Sequence, residues 1–128
     1  MAVKPIPDGY HNVTPYLLIR DAPRLIDFLT QAFGAQEMLR VPGPGGMHAE
    51  VRIGDSVVMM GESGDRAAPA AIYLYLENVD AAYQRALKAG GTSTEEPADQ
   101  PYGDRRAGVL DPAGNTWWIA THVKDVTM

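Results

Sequence analysis

The sequence predicts an α+β protein built from two βαβββ modules. Three observations carry this. The order strand, helix, three strands is read twice along the chain. Each helix lies between a strand and a glycine stop at the same place in both copies. The turn Gly54-Asp55 in the first copy matches Asp111-Pro-Ala-Gly114 in the second. The segments DAPRLIDFLTQAFGAQ and DAAYQRALKAGG overlay as the helices, and HAEVRIGDSVVMM and RAGVLDPAGNTWW overlay as the hairpins. The 128 residues suffice for one domain, 1–128, with module one at about 13–61, a linker at about 62–70 and module two at about 71–122. Each module is too small to close a core by itself, so the two are expected to pair.

Residues 1–12 hold two prolines and a glycine and read as an extended lead-in. Val13 to Ile19 follows as a strand, although Pro15 donates no ladder hydrogen bond. Asp21 is a helix N-cap with Pro23 in the first turn, where its missing N–H costs little. Leu25, Ile26, Leu29 and Phe33 recur at helical spacing, and Gly34 ends the helix. Gln36 to Val41, Met47 to Ile53 and Ser56 to Gly61 alternate like strands, the first two separated by a Pro-Gly-Pro-Gly-Gly loop. Residues 62–70, ESGDRAAPA, are small and polar and read as the linker. Ala71 to Leu76 is a strand. A helix opens at Val79-Asp80, buries Tyr83, Ala86 and Leu87, and stops at Gly90-Gly91. A short irregular strand lies within 92–98. Arg105 to Leu110 and Asn115 to His122 are the last two strands.

Composition narrows the function. There are no cysteines, which excludes disulfides, thiolate nucleophiles and cysteine-ligated metals. Apolar residues make up 45%, so the chain can fold around a core. Eleven basic and sixteen acidic residues give a net charge of −5, with no basic cluster, so no nucleic-acid partner is expected. No apolar run reaches the roughly 20 residues of a membrane span, and MAVKPIPDGY lacks a signal-peptide core, so no membrane partner and a cytoplasmic location are expected. The loop VPGPGG has no following Lys-Ser or Lys-Thr, so it is not a phosphate-cradling loop.

Three motifs carry a family resemblance: Tyr16-Leu-Leu-Ile-Arg-Asp-Ala-Pro with its helix, Leu76-Glu-Asn-Val-Asp-Ala-Ala-Tyr83, and Asp111-Pro-Ala-Gly-Asn115-Thr-Trp. Together they resemble the vicinal oxygen chelate superfamily of glyoxalases, bleomycin-resistance proteins, fosfomycin-resistance enzymes and extradiol dioxygenases. The His48 to Ser56 hairpin and the closing Trp118-Ile-Ala-Thr-His122-Val look like its PhnB-like branch. The resemblance implies that the helix of each module covers one face of its strands and that the other faces form a curved, cup-shaped mixed sheet. It also implies a homodimer.

Strand alternation then sorts the residues. Val13, Pro15, Leu17 and Ile19 are expected against the helix, and Thr14, Tyr16, Leu18 and Arg20 in the cup. A Gly54-Asp55 turn puts His48, Glu50 and Met59 in the cup. Tyr73, Tyr75, Trp118 and His122 take the same side, as does Arg105, with Arg106 opposite. Trp117 is expected in the core. The overlay puts the superfamily's metal-ligand positions at Thr14, Met59, Ala71 and Trp118. A divalent metal needs converging nitrogen or oxygen donors, so no metal and no cofactor is expected.

The expected ligand-binding residues are therefore Tyr16, Met59, Tyr73, Tyr75, Arg105, Trp118 and His122. His48 and Glu50, two apart on one strand face, are the candidate catalytic pair. The preferred reading is a metal-free protein that binds an aromatic or apolar small molecule, as in resistance by sequestration. The competing reading is a lyase or isomerase of a small carbonyl compound, with His48 and Glu50 as acid and base or as a partial metal site. Whether the protein is an enzyme stays open at this point.

Overall fold

The computed structural model describes residues 2–127. Its elements run β1 (Tyr16–Ile19), α1 (Ala22–Phe33), β2 (Gln36–Gly43), β3 (Gly46–Ile53), β4 (Ser56–Glu62), a 3-10 turn at Gly64–Arg66, β5 (Ala71–Tyr75), α2 (Val79–Lys88), β6 (Thr92–Asp99), β7 (Asp104–Leu110) and β8 (Thr116–His122). The ladders join them into two four-stranded sheets, ordered β1-β4-β3-β2 and β5-β8-β7-β6. In each sheet the first pair, β1 with β4 and β5 with β8, is parallel, and the others are antiparallel. The register repeats as well: Tyr16 lies beside Met59 in one sheet and Tyr73 beside Trp118 in the other. The architecture is the α+β arrangement of two βαβββ modules.

The helix signals act where the sequence puts them. Asp21 Oδ1 accepts the backbone N–H of Arg24 at 3.2 Å, and Gly34 takes the left-handed conformation at φ 69° that ends α1. The side chain of Asn78 caps α2 by accepting from the backbone N–H of Ala81 at 3.1 Å. Several boundaries differ from expectation by one residue, and three strands differ in ways that bear on the fold. The first strand begins at Tyr16, because Pro15 can offer only its carbonyl, which accepts from the Met59 N–H at 2.9 Å. Val13 consequently lies outside the sheet and is exposed instead of meeting the helix. Strand β2 runs on through Val41 and Pro42 to Gly43, so the expected proline–glycine loop shrinks to a tight turn. Strand β6 is eight residues long. It tolerates Pro97 because it is an edge strand with register breaks.

Helix α1 packs on β2, β3 and β4, helix α2 packs on β6, β7 and β8, and the helices pack on each other. Phe33 of α1 lies 5.2 Å, ring to ring, from the fully buried Trp117 of β8, and Arg85 Nε of α2 donates to the carbonyl of Ala32 at 3.1 Å. The helix-covered faces of both sheets thus share one core. No ladder joins the two sheets among the described residues. Their other faces are turned away from the core and carry the candidate site.

One buried carboxylate fixes the module-two turn. Asp111 Oδ1 accepts the backbone N–H groups of Ala113 at 2.8 Å and Asn115 at 3.0 Å. Its Oδ2 accepts Asn115 Nδ2 at 3.0 Å and the Trp117 indole N–H at 2.8 Å. Asn115 Oδ1 in turn accepts the N–H of Ala70, which fastens the linker to the start of β5. Removing the carboxylate strands several buried donors, each at a cost of about 1–3 kcal/mol. The substitution Asp111→Ala is expected to lower stability by about 3 kcal/mol in denaturant unfolding. An unfolding midpoint equal to that of the parent protein would contradict this account of the turn.

Candidate functional site

Strand alternation, the neighbouring register and one close approach shape the open face of the first sheet. His48 lies beside Gly61, and Glu50 beside Met59. Tyr16 reaches across from β1 over Gly61, where a side chain would meet the Tyr16 hydroxyl at 2.6 Å. Glycine therefore gives the phenol the room to reach His48. The Tyr16 hydroxyl lies 3.0 Å from His48 Nδ1, and His48 Nε2 lies 2.9 Å from Glu50 Oε2. The Tyr10 hydroxyl closes the line by donating to Glu50 Oε1. Glu50 is only 6% exposed, so a carboxylate there needs these donors. The bond to Glu50, with burial added, holds the Tyr10 phenol above its ordinary pKa. Residues Pro5 to Asn12 thus lie against Glu50 and Met59 as an arm over part of this face.

The second sheet carries a denser cluster. Asp104, 2% exposed, accepts from the Tyr73 hydroxyl at 2.6 Å and the Tyr75 hydroxyl at 2.8 Å, both on Oδ2. Its Oδ1 lies 2.8 Å from His122 Nδ1, and His122 Nε2 lies 2.7 Å from Asp125. Burial pushes the Asp104 carboxyl up, but the bonds from Tyr73, His122 and Tyr75 outweigh it, so Asp104 stays below its ordinary value. Burial first, then the bond to Asp104, raises Tyr73. The bond to Asp104 raises Tyr75. Both phenols are held protonated. The bonds to Asp104 and then Asp125 raise His122.

Beside this cluster the Arg106 guanidinium lies over the Trp118 ring, 4.4 Å from its centroid. Its terminal nitrogens bind Glu95 at 3.0 and 3.1 Å and the Tyr102 hydroxyl at 3.0 Å. The rings of Tyr73 and Tyr75 are 5.2 Å apart. Both remain open to solvent, at 39% and 59%, as does Tyr16 at 50%. The result is a ring-lined surface whose buried carboxylate is already satisfied.

Most of the expected residues share these two faces: Tyr16, His48, Glu50 and Met59 on the first, Tyr73, Tyr75, Trp118 and His122 on the second. Arg105 is the correction. It points the other way, where its guanidinium binds Asp80 of α2 at 2.9 and 3.0 Å and Asp99 at 3.3 Å. Arg105 shares its strand face with the fully buried Ala107 and Val109, and Arg106 takes the open face instead. The overlay of Arg106 on His48 was the signal for this. Asp104, two residues before Arg106, lies on that same strand face, buried. Tyr10 had no such signal, because its contact joins the lead-in to a strand forty residues away.

The metal that the superfamily resemblance implies does not fit these residues. Thr14, Met59, Ala71 and Trp118 supply a hydroxyl, a thioether, a methyl and an indole. Among the described residues no three His, Asp or Glu side chains are grouped to hold an ion. His48, Glu50, Asp104 and His122 are committed to one another and to phenols.

Two paired βαβββ modules are the architecture of vicinal-oxygen-chelate proteins. Residues 10–119 match the family described as the Glyoxalase/Bleomycin resistance protein/Dioxygenase superfamily, and the chain belongs to it. It is 38% identical to the Mycobacterium bovis "Uncharacterized protein Mb0911c", over 91% of this chain and 86% of that one. Among solved structures, TioX from Micromonospora sp. ML1 superimposes with a TM-score of 0.76 at 25% identity, covering 88% of this chain and 99% of that one. TnmS3 from Streptomyces sp. CB03234, described as an antibiotic binding protein, superimposes with a TM-score of 0.73 at 21% identity, over 95% and 98% of the two chains, and shows the shared fold.

The Asp104–His122 contact has a defined pH signature. His122 is raised above its ordinary 6.5, so its contribution is full below pH 6.5 and fades as pH climbs through the folded-state value. Asp104 is lowered below 3.8, so its contribution holds above pH 3.8 and fades in stronger acid. Thermal unfolding of the parent and of His122→Gln should therefore differ most between about pH 4 and 6.5 and converge as pH rises through the raised His122 value. A gap that widens toward alkaline pH would contradict the pairing.

Proposed function

We propose that this protein binds a flat aromatic small molecule on its open sheet faces, without a metal, and acts in the cytoplasm as a homodimer. The Trp118 and Arg106 stack beside the Tyr73 and Tyr75 pair carries the reading. Stacked rings and a guanidinium offer broad apolar area and a delocalised charge, which suits planar ligands held by burial and stacking. The commitment of the Glu50 and Asp104 oxygens to phenols and imidazoles supports binding without chelation. TnmS3, which shares this fold, is described as an antibiotic binding protein, which supports a small-molecule ligand.

The direction of the faces supports a homodimer. Each chain turns two half-open, ring-lined faces away from its core, and an exposed face of this kind favours a covering partner. A second copy that laid its first sheet opposite the second sheet of its neighbour would enclose a ligand between Tyr16 and Met59 on one side and Tyr73, Tyr75 and Trp118 on the other.

A second reading rests on one observation. Tyr16, His48 and Glu50 form a line of hydroxyl, imidazole and carboxylate, the arrangement in which a carboxylate orients an imidazole toward a proton-bearing oxygen. That line could serve a lyase or isomerase of a small carbonyl compound, with His48 and Glu50 as acid and base.

Titration with planar bicyclic and tricyclic aromatic compounds tests the main reading. Binding is expected to quench Trp118 fluorescence, to persist in EDTA and to leave the compound unchanged, while light scattering gives two chains. Trp118→Ala is expected to weaken binding by about 30-fold, equivalent to about 2 kcal/mol. Binding that requires added metal, or turnover abolished by His48→Asn, would overturn it in favour of the enzyme.

A further inference from the structure

A cavity of about 280 Å³ lies at the junction of the modules, away from the ring-lined faces. The β1–α1 turn, the linker and the turn after β7 border it, and it opens to solvent. Ile19 and Leu25, both buried, form part of its lining, with Pro69 and Pro112 as further apolar walls. Arg20 and Arg24 line it as well.

The walls are fixed before any ligand arrives. The Ala68 N–H donates to the Leu18 carbonyl at 3.1 Å, and the Ala70 N–H donates to Asn115 Oδ1 at 2.9 Å. Asp111 holds Ala113 on the far side. A cavity set between two structural units, with apolar walls on one side and charged side chains on the other, is a place where a small amphipathic molecule can bind.

Its charge selects the ligand. Arg40, Arg85, Arg105 and Arg106 are each bonded to a carboxylate or a carbonyl. Arg20 and Arg24, like Arg52 and Arg66 elsewhere on the molecule, have no such side-chain partner among the described residues, and these two alone of the four line the cavity. Asp21, also in the lining, is engaged in capping α1. The first N–H groups of that helix are already taken, Ala22 by Glu62 Oε2 at 2.9 Å and Arg24 by Asp21. The guanidinium groups, and not the helix end, therefore supply the attraction. Guanidinium matches carboxylate through two parallel, charge-assisted hydrogen bonds.

We propose that this junction cavity is a second ligand site, for a small organic carboxylate. Arg20 and Arg24 hold the carboxylate, and the apolar body rests on Leu25, Ile19 and the two prolines. The site is independent of the proposed aromatic-binding faces and draws its walls from both modules.

Proton–nitrogen correlation spectra recorded during titration with 2-naphthoate, and separately with its neutral counterpart 2-naphthol, test the site. Naphthoate is expected to shift the amides of Arg24, Ala68 and Ala113 in a saturable way. The double variant Arg20→Gln/Arg24→Gln is expected to weaken that binding about tenfold or more. The neutral compound should leave those amides in place. The proposal is overturned if naphthoate up to about 10 mM leaves them unmoved, if naphthol shifts them equally, or if the double variant binds naphthoate as the parent does. Shifts at Tyr73 and Trp118 report on the open faces, so a failure there counts against the proposed function and not against this site.

Discussion

A carboxylate buried on a sheet face must be given hydrogen-bond donors or lose its charge, and that requirement organises the site. Glu50 and Asp104 are both nearly inaccessible, and each has both of its oxygens occupied. The donors come from aromatic side chains. Tyr10 and His48 serve Glu50, while Tyr73, Tyr75 and His122 serve Asp104. Satisfying the carboxylates in this way brings rings to the surface and spends the oxygen donors that an ion would need. Polar satisfaction and an aromatic lining are two consequences of one arrangement.

The two sheets solve this in different orders. On the second, the phenols donate straight to the carboxylate and the imidazole binds its other oxygen, which pins the rings and keeps the phenols protonated. On the first, His48 stands between Tyr16 and Glu50, so the phenol there is coupled to an imidazole. The first order is one that can relay a proton, and the second is one that holds a surface still. The helices decide where these faces look. Because α1 and α2 pack on each other and share Phe33 and Trp117 in one core, the faces they cover turn inward and the ring-lined faces turn out.

Much of this was legible in the sequence, because it is local or periodic. Asp21, Gly34 and the Asp111 to Gly114 turn are short-range signals, and they set the helix ends and the last hairpin. Alternation from the Gly54-Asp55 turn put His48, Glu50 and Met59 on one face. Arg105 falls on the helix side because Ala107 and Val109, on the same strand face, are buried in the core. Tyr10 was not legible, since nothing in an irregular lead-in states which distant strand it will touch. Asp104 was missed because an acidic residue at the edge of a turn reads as solvated, and only the fold brings Tyr73, Tyr75 and His122 to it.

On the proposed reading, these faces hold their carboxylates for aromatic side chains and not for a cation. Metal content measured by mass spectrometry after incubation with zinc, nickel or iron and exhaustive dialysis tests it most directly. A negligible amount of metal per chain is expected. One tightly retained equivalent per chain would contradict it.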